Sequence, residues 1–145
     1  MKDIALARRD IREISLLLKQ AQHRKQKAVD DALGELQCSL AQWVILRRIA
    51  AHPGASAHAL AQSAFQTDQA FGAITRRLID RGLVIREQGK GRATAHRLSS
   101  EGERLLEQSE PIVRRVVREE FSGLDDDELE VFGDLLAKIV HAGAR

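Results

Sequence analysis

The most chemically suggestive stretch of the 145-residue chain is Gln66-Thr-Asp-Gln-Ala-Phe-Gly-Ala-Ile-Thr-Arg-Arg-Leu-Ile-Asp-Arg-Gly82. Its side chains are of the kinds that read a nucleic-acid duplex. An amide such as Gln66 or Gln69 matches the donor and acceptor pair on adenine, and methyl-sized Ala70 and Ala73 suit a thymine methyl. The guanidinium groups of Arg76 and Arg77 can reach phosphate or guanine. Plotted as a helix from Phe71, the run places Ile74, Leu78 and Thr67 within about 40° of that ring, with Thr75 and Ile79 at the shoulder. Gln66, Gln69, Ala73, Arg76, Arg77 and Asp80 gather opposite, with Ala70 at the edge, so Phe71 is expected in the core and the polar side is expected to be free. Asp68 fits the positive end of the helix dipole better than a base contact. Gly72 costs about 1 kcal/mol relative to alanine, tolerable where a neighbour packs or a ligand approaches closely.

Positioning such a helix takes a specific set of elements, and the flanking sequence supplies signals for them. Ser39-Leu-Ala-Gln42 is a capping box that opens a helix carrying Leu40, Val44, Ile45 and Ile49, ending at His52-Pro53-Gly54. Ser56 can cap a short third helix with Leu60, Ala61 and Ala64 inward. The Gln66–Arg81 helix should stop at Gly82, and Leu83–Glu87 and Ala93–Leu98 then read as two strands around the loop Gln88-Gly-Lys-Gly-Arg92. Three helices followed by a hairpin with a basic tip is the order of a winged helix-turn-helix. The predicted DNA-facing residues are Ser56, His58, Gln66, Thr67, Gln69, Ala70, Ala73, Arg76 and Arg77, joined by Lys90, Arg92 and Thr94 of the hairpin.

Helices are expected on both sides of this unit. Ile4, Ala7, Ile11, Ile14, Leu18 and Ala21 recur at steps of three and four, a narrow seam on a helix of roughly 30 residues that calls for a partner helix. Ser100-Glu-Gly-Glu103 reads as another capping box, on a helix that Pro111 should kink or interrupt. Asp125-Asp-Asp-Glu128 opens a last helix with Leu129, Phe132, Leu136, Ile139 and Val140 on one stripe. The predicted division is a first helix over 1–36, a winged helix-turn-helix over 37–98 and further helices over 99–145. Ile4, Ile11, Ile14 and Leu18 are expected where the first helix meets its partner.

Charge follows the same division. Lys and Arg number 8, 9 and 6 in the three segments against 6, 3 and 12 Asp and Glu, giving +2, +6 and −6. A basic centre beside an acidic third points to one surface that meets a polyanion. No apolar run approaches the roughly 20 residues of a membrane span, and the charged amino terminus is unlike a signal peptide, so the cytoplasm is the expected compartment. One cysteine, Cys38, excludes an intrachain disulfide framework. His23, His52, His58, His96 and His141 lack metal-ligand spacing, and no nucleophile with a paired base is evident; neither cofactor nor enzymatic activity is expected.

The runs Leu40-Ala-Gln-Trp-Val-Ile-Leu-Arg-Arg-Ile49, Leu60-Ala61, Arg77-Leu-Ile-Asp-Arg-Gly-Leu-Val-Ile-Arg86, Arg92 and Leu98-Ser-Ser-Glu-Gly102 resemble the multiple-antibiotic-resistance regulator (MarR) family over nearly the whole chain. The resemblance implies a mainly helical homodimer with a small β-hairpin wing on each winged domain. It implies that 1–36 and 99–145 are intertwined dimerisation helices, with Leu129, Phe132, Leu136 and Ile139 joining Ile4, Ile11, Ile14 and Leu18 at the interface. It also implies a grip on pseudo-palindromic double-stranded DNA, and repression relieved by a small, often anionic aromatic effector or by oxidation. It makes Trp43, Arg47 and Arg86 candidates for the effector site and Cys38 a candidate redox residue. An activator, a thiol sensor or a non-catalytic protein-interaction module on the same fold are the alternatives. Where the family commonly has Thr or Ser and Arg, this chain has Ala70, Gly72 and Ala73. Lys90 replaces the acidic residue expected two positions before Arg92.

Overall fold

The computed structural model describes residues 8–88 and 94–143. Ile4 of the expected seam, and Lys90 and Arg92 of the hairpin tip, lie outside the described residues. Six helices and one antiparallel hairpin follow in the order α1 (Ile11–Leu33), α2 (Leu40–Ala51), α3 (Ala57–Ser63), α4 (Asp68–Asp80), β1 (Val84–Gln88), β2 (Thr94–Leu98), α5 (Ser100–Glu120) and α6 (Asp126–Ala142). The architecture is the expected one, mainly α with a small hairpin. No helix among the described residues is long and apolar enough to cross a membrane.

Local capping sets most of the boundaries. Ser39 and Gln42 form the reciprocal box at α2, Ser56 caps α3, and Asp125 with Glu128 caps α6. The first helix is shorter than the expected roughly 30 residues: it runs 23 residues because the Asp10 carboxylate accepts the Arg12 N–H and ends the helix there. At its other end the Asp30 carboxylate accepts the Leu40 N–H at 2.7 Å, so α1 helps to cap α2.

Two expectations about α5 are corrected. Its cap is Ser99, not Ser100, because Leu83 carbonyl accepts the Ser99 N–H at 3.0 Å and holds that residue extended, leaving its hydroxyl to accept from Gly102. Pro111 does not interrupt the helix, which continues for 21 residues. Leu105, Ser109 and Val116 are buried on one side of the helix, while Glu107 and Pro111 lie on its exposed side, away from the packing that holds the helix in place.

The core joins Val29 and Leu33 of α1, Trp43, Ile45, Leu46 and Ile49 of α2, Leu60 and Ala61 of α3, Phe71 and Leu78 of α4, the hairpin root and Leu105 and Val116 of α5. By contrast α6 buries no residue completely. Leu129, Phe132 and Leu136 are half-buried, whereas Val131, Leu135, Ile139 and Val140 are exposed. On α1 the seam residues Ile11, Ile14 and Leu18 stand in solvent with Leu16 and Leu17 beside them. The apolar surface left open by the single chain is therefore wider than the predicted seam.

One glycine governs how α5 meets the rest. A Cβ at Gly102 would lie 2.2 Å from the carbonyl oxygen of Leu83, a backbone atom with little room to retreat. Gly72, in contrast, has nothing within 4 Å of such a Cβ, so no packing within the described chain accounts for it. Gly102→Ala should destabilise the fold by about 3 kcal/mol through overpacking. Gly72→Ala should stabilise it by about 1 kcal/mol through helix propensity. Urea unfolding of both variants checks the pair, and shifts of the same sign would contradict this packing.

Candidate nucleic-acid interface

The helix α4 divides as its periodicity predicts. Phe71, Thr75 and Leu78 are buried, Ile74 and Ile79 are half-buried, and Gln69, Ala73, Arg76, Arg77 and Asp80 are exposed. Gln66 and Ala70 are half-buried at the front of the same exposed strip. Thr67 departs from its expected place near Phe71: it is exposed, because it precedes the first helical turn and its hydroxyl caps that turn by accepting the Ala70 N–H. Gly82 ends the helix at φ +75°, with the Leu83 N–H bonded to the Leu78 carbonyl and the Gly82 N–H to the Ile79 carbonyl. Arg81, which the residue pattern did not single out, donates to the Gln37 carbonyl at 2.7 Å and ties the end of α4 to the start of α2.

His58 is brought to α4 rather than left free. Its Nδ1 lies 3.0 Å from both carboxylate oxygens of Asp68, across the turn that joins α3 to α4. Both side chains are about two-thirds exposed at 66%, so the pair adds little to stability, yet it places an imidazole beside the one carboxylate at the front of the helix. Ser56 is engaged twice, capping α3 through its hydroxyl and bridging to Ala95 of β2. That bridge brings the root of the hairpin against the start of α3.

In the hairpin, Val84 faces Leu98, Ile85 faces Arg97, Arg86 faces His96, Glu87 faces Ala95 and Gln88 faces Thr94. Glu87 and Arg97 make an ion pair across it. Thr94 is half-buried at the last described rung. His96 is only 2% exposed, meets Phe71 edge to face with ring centroids 6.0 Å apart, and its Nδ1 has no hydrogen-bond partner. Burial, reinforced by the Arg86 charge, holds its pKa below the usual imidazole value.

Behind this surface lies a cavity of about 630 Å³ between α2, α5 and the start of α6. Trp43 and Arg47 line it as the sequence suggests, with the Arg47 guanidinium 4.8 Å from the centre of the indole ring. The indole N–H donates to the Ser109 hydroxyl at 2.8 Å. Arg86 does not join them: it is exposed on the hairpin, where it pairs in register with His96. Residue patterns had missed Arg114 and Arg118, which face the same cavity with Val113, Val117 and Phe121. Their steps of three and four along α5 are the signal that could have found them.

Cys38 is buried at 3% exposure, its thiol donates to the Ser39 carbonyl, and burial raises its pKa. A buried thiol that resists ionisation is a poor redox sensor. Among the described residues no group of three or more His, Cys, Asp or Glu is placed to hold a metal ion.

A family model described as MarR family matches residues 37–93. The chain is also 31% identical over 113 residues to the HTH-type transcriptional repressor Rv2887 of Mycobacterium tuberculosis, covering 77% of this chain and 81% of that one. The chain belongs to the MarR family. As a MarR-family transcriptional regulator it shares its fold with solved members. The Rv2887 complex with p-aminosalicylic acid matches with a TM-score of 0.74 at 29% identity, over 86% of this chain and 96% of that one. The Rv2887 complex with DNA matches at 0.73 and 27%, over 86% and 95%.

The buried imidazole gives this winged domain a pH signature. Because the folded state holds His96 neutral below the ordinary pKa of about 6.5, the unfolded chain takes up a proton first as pH falls. Its contribution is thus fully present above pH of about 6.5 and erodes below it, by at most about 1.4 kcal/mol per pH unit, until the folded form is itself protonated. His96→Leu should flatten the fall in urea midpoint between neutral and mildly acidic pH. An unchanged slope would remove His96 as its source.

Proposed function

We propose that this MarR-family regulator is a homodimeric repressor that grips a pseudo-palindromic operator and lets go when a small anionic aromatic molecule binds. The observation that carries the DNA contact is the exposed strip of α4. Gln69, Ala73, Arg76 and Arg77 are held outward by three buried anchors, with nothing in the described chain over them. In this reading Gln66 and Gln69 inspect bases, Ala70 and Ala73 meet methyl groups, and Arg76 and Arg77 hold phosphate or guanine. Ser56, His58 and Thr67 flank the front of the helix, while Lys90, Arg92 and Thr94 serve the backbone or minor groove. The likeness to an Rv2887 structure in complex with DNA supports the assignment.

Dimerisation through segments 1–36 and 99–145 accounts for the open apolar faces. Val131, Leu135, Ile139 and Val140 on α6 and Ile11, Ile14, Leu16, Leu17 and Leu18 on α1 are too many large apolar groups for a monomer to leave in water. The 37–98 segment then acts as the DNA-binding unit of each protomer.

The cavity has the chemistry of an effector site: an indole, Phe121 and two valines for a ring, and Arg47 and Arg118 for a carboxylate, with Arg114 paired to Glu110 and Asp126 also on the lining. The likeness to an Rv2887 complex with p-aminosalicylic acid supports this occupant class.

Selection of bound sequences from random duplex DNA should return an inverted repeat with half-sites about one helical turn apart, bound more weakly as salt rises. On that duplex Gln69→Ala should relax base preference at one position, whereas Arg76→Ala should weaken all sequences alike. The reverse pattern would mean that α4 docks in the opposite sense. Trp43 is the chain's one tryptophan, so benzoate titrated into the protein should alter its emission, and Arg118→Gln should weaken that response about tenfold. An emission unaffected by any aryl carboxylate would remove the effector half of the proposal.

A further inference from the structure

Phe65 occupies the turn between α3 and α4 under two separate penalties. Its side chain is 93% exposed, more than any other large apolar residue described. Its backbone is also left-handed at φ +55°, a conformation that suits glycine and costs a residue with a Cβ. The reason for that conformation is the helix end. The Gln66 N–H bonds to the Ala61 carbonyl at 2.9 Å and the Phe65 N–H to the Gln62 carbonyl at 3.1 Å, which is the Schellman closure of α3 with Phe65 in the left-handed position.

The chain closes α4 with the same pair of bonds and there uses Gly82. A third left-handed residue, Gln37, is polar, and its carbonyl receives the Arg81 guanidinium. Phe65 has neither excuse. A glycine would make the same turn without strain and without an exposed ring, so nothing inside the described chain explains a phenylalanine there. Strain combined with exposure at one residue is the pattern of a group kept for an external contact.

The surroundings select the occupant. Phe65 immediately precedes Gln66 and stands two residues before Thr67, the second of which caps α4. The front end of a recognition helix is the part that approaches base edges, and the segment around it carries the chain's excess of positive charge. The apolar faces left for a second copy are on α1 and α6, different elements from this turn. In the major groove, the apolar group a ring can meet is the thymine methyl. We infer that Phe65 is a DNA-specificity residue whose ring packs on the C5-methyl of a thymine beside the bases read by Gln66 and Gln69. The inference rests on the DNA-binding reading given above.

The experiment compares wild type, Phe65→Gly and Arg76→Ala on the duplex recovered by selection, and on versions in which each thymine is replaced in turn by uracil, which removes only the methyl. Phe65→Gly keeps the left-handed turn and should raise the thermal midpoint by roughly 3 °C while weakening binding about tenfold. At one thymine, uracil should cost the wild type about fourfold and the glycine variant less than twofold. Several results would overturn the inference. Unchanged affinity of Phe65→Gly with weakened Arg76→Ala would reject it and leave DNA recognition by α4 standing. Full binding by both variants would reject that recognition and the inference with it. Lost affinity uncoupled to any thymine methyl, no gain in thermal midpoint, or a change from dimer to monomer in sedimentation would each assign Phe65 to something else.

Discussion

The burial of Phe71 is the contact on which the arrangement of the exposed strip of α4 depends. Its ring lies against the edge of His96 from the hairpin, and together with Thr75 and Leu78 it fixes which side of α4 faces inward. Rotation of the helix by one residue would drag that ring toward solvent and forfeit about 1.5–3 kcal/mol of burial, so the orientation of Gln69, Ala73 and Arg76 follows from the core rather than from the surface. Selectivity of the exposed strip can therefore vary without disturbing the fold.

A second joint relates this unit to the terminal helices. Leu83 carbonyl accepts from Ser99, Ser99 hydroxyl donates to the Gly82 carbonyl, and Gly102 lets the first turn of α5 lie directly on Leu83. The residues that end α4 and those that begin α5 are thus a single hydrogen-bonded piece. A helix tied so closely to α4 cannot shift its direction without carrying α4 along or breaking the joint. In a dimer, the distance between two such pieces would set the spacing of half-sites.

How much of this was legible in the sequence depended on the range of the forces involved. Caps at Ser39, Ser56 and Asp125, the stop at Gly82 and the two faces of α4 rest on interactions within a few residues, and periodicity displays them. Ser99 was displaced by one because Leu83, from another element, selects the capping residue. Pro111 obeys a local rule that holds for isolated helices, but here the buried face of α5 keeps the helix together and the proline lies on the exposed side. Arg86 was misplaced, and Arg114 and Arg118 missed, since which charges share a cavity is decided by the packing of α5 on α2. Phe65 carries no signal of its own in the sequence, because exposure and backbone sign are invisible in a string of residue types.

The cavity and the joint lie on one helix, and that gives the terminal region a mechanical meaning. Trp43 reaches from α2 to Ser109 of α5, and Ser109 in turn donates to the Leu106 carbonyl, so the indole that lines the cavity is bonded to that helix. Arg114 and Arg118 stand farther along α5, while Leu129 and Asp126 close the cavity from α6. An anion drawing these arginines toward Arg47 would pull on α5 at a point between its joint with α4 and its continuation toward the apolar face of α6. Such a pull changes DNA affinity only to the extent that the ligand binds one spacing of the two recognition helices better than another. Along α5 and across the Ser99–Leu83 and Ser99–Gly82 hydrogen bonds the cavity is joined to the end of α4, whereas α6 buries no residue completely in its own chain and leaves Val131, Leu135, Ile139 and Val140 exposed. Any pull exerted on α5 would reach α4 through Gly102, Ser99 and Leu83, where the two helices are joined.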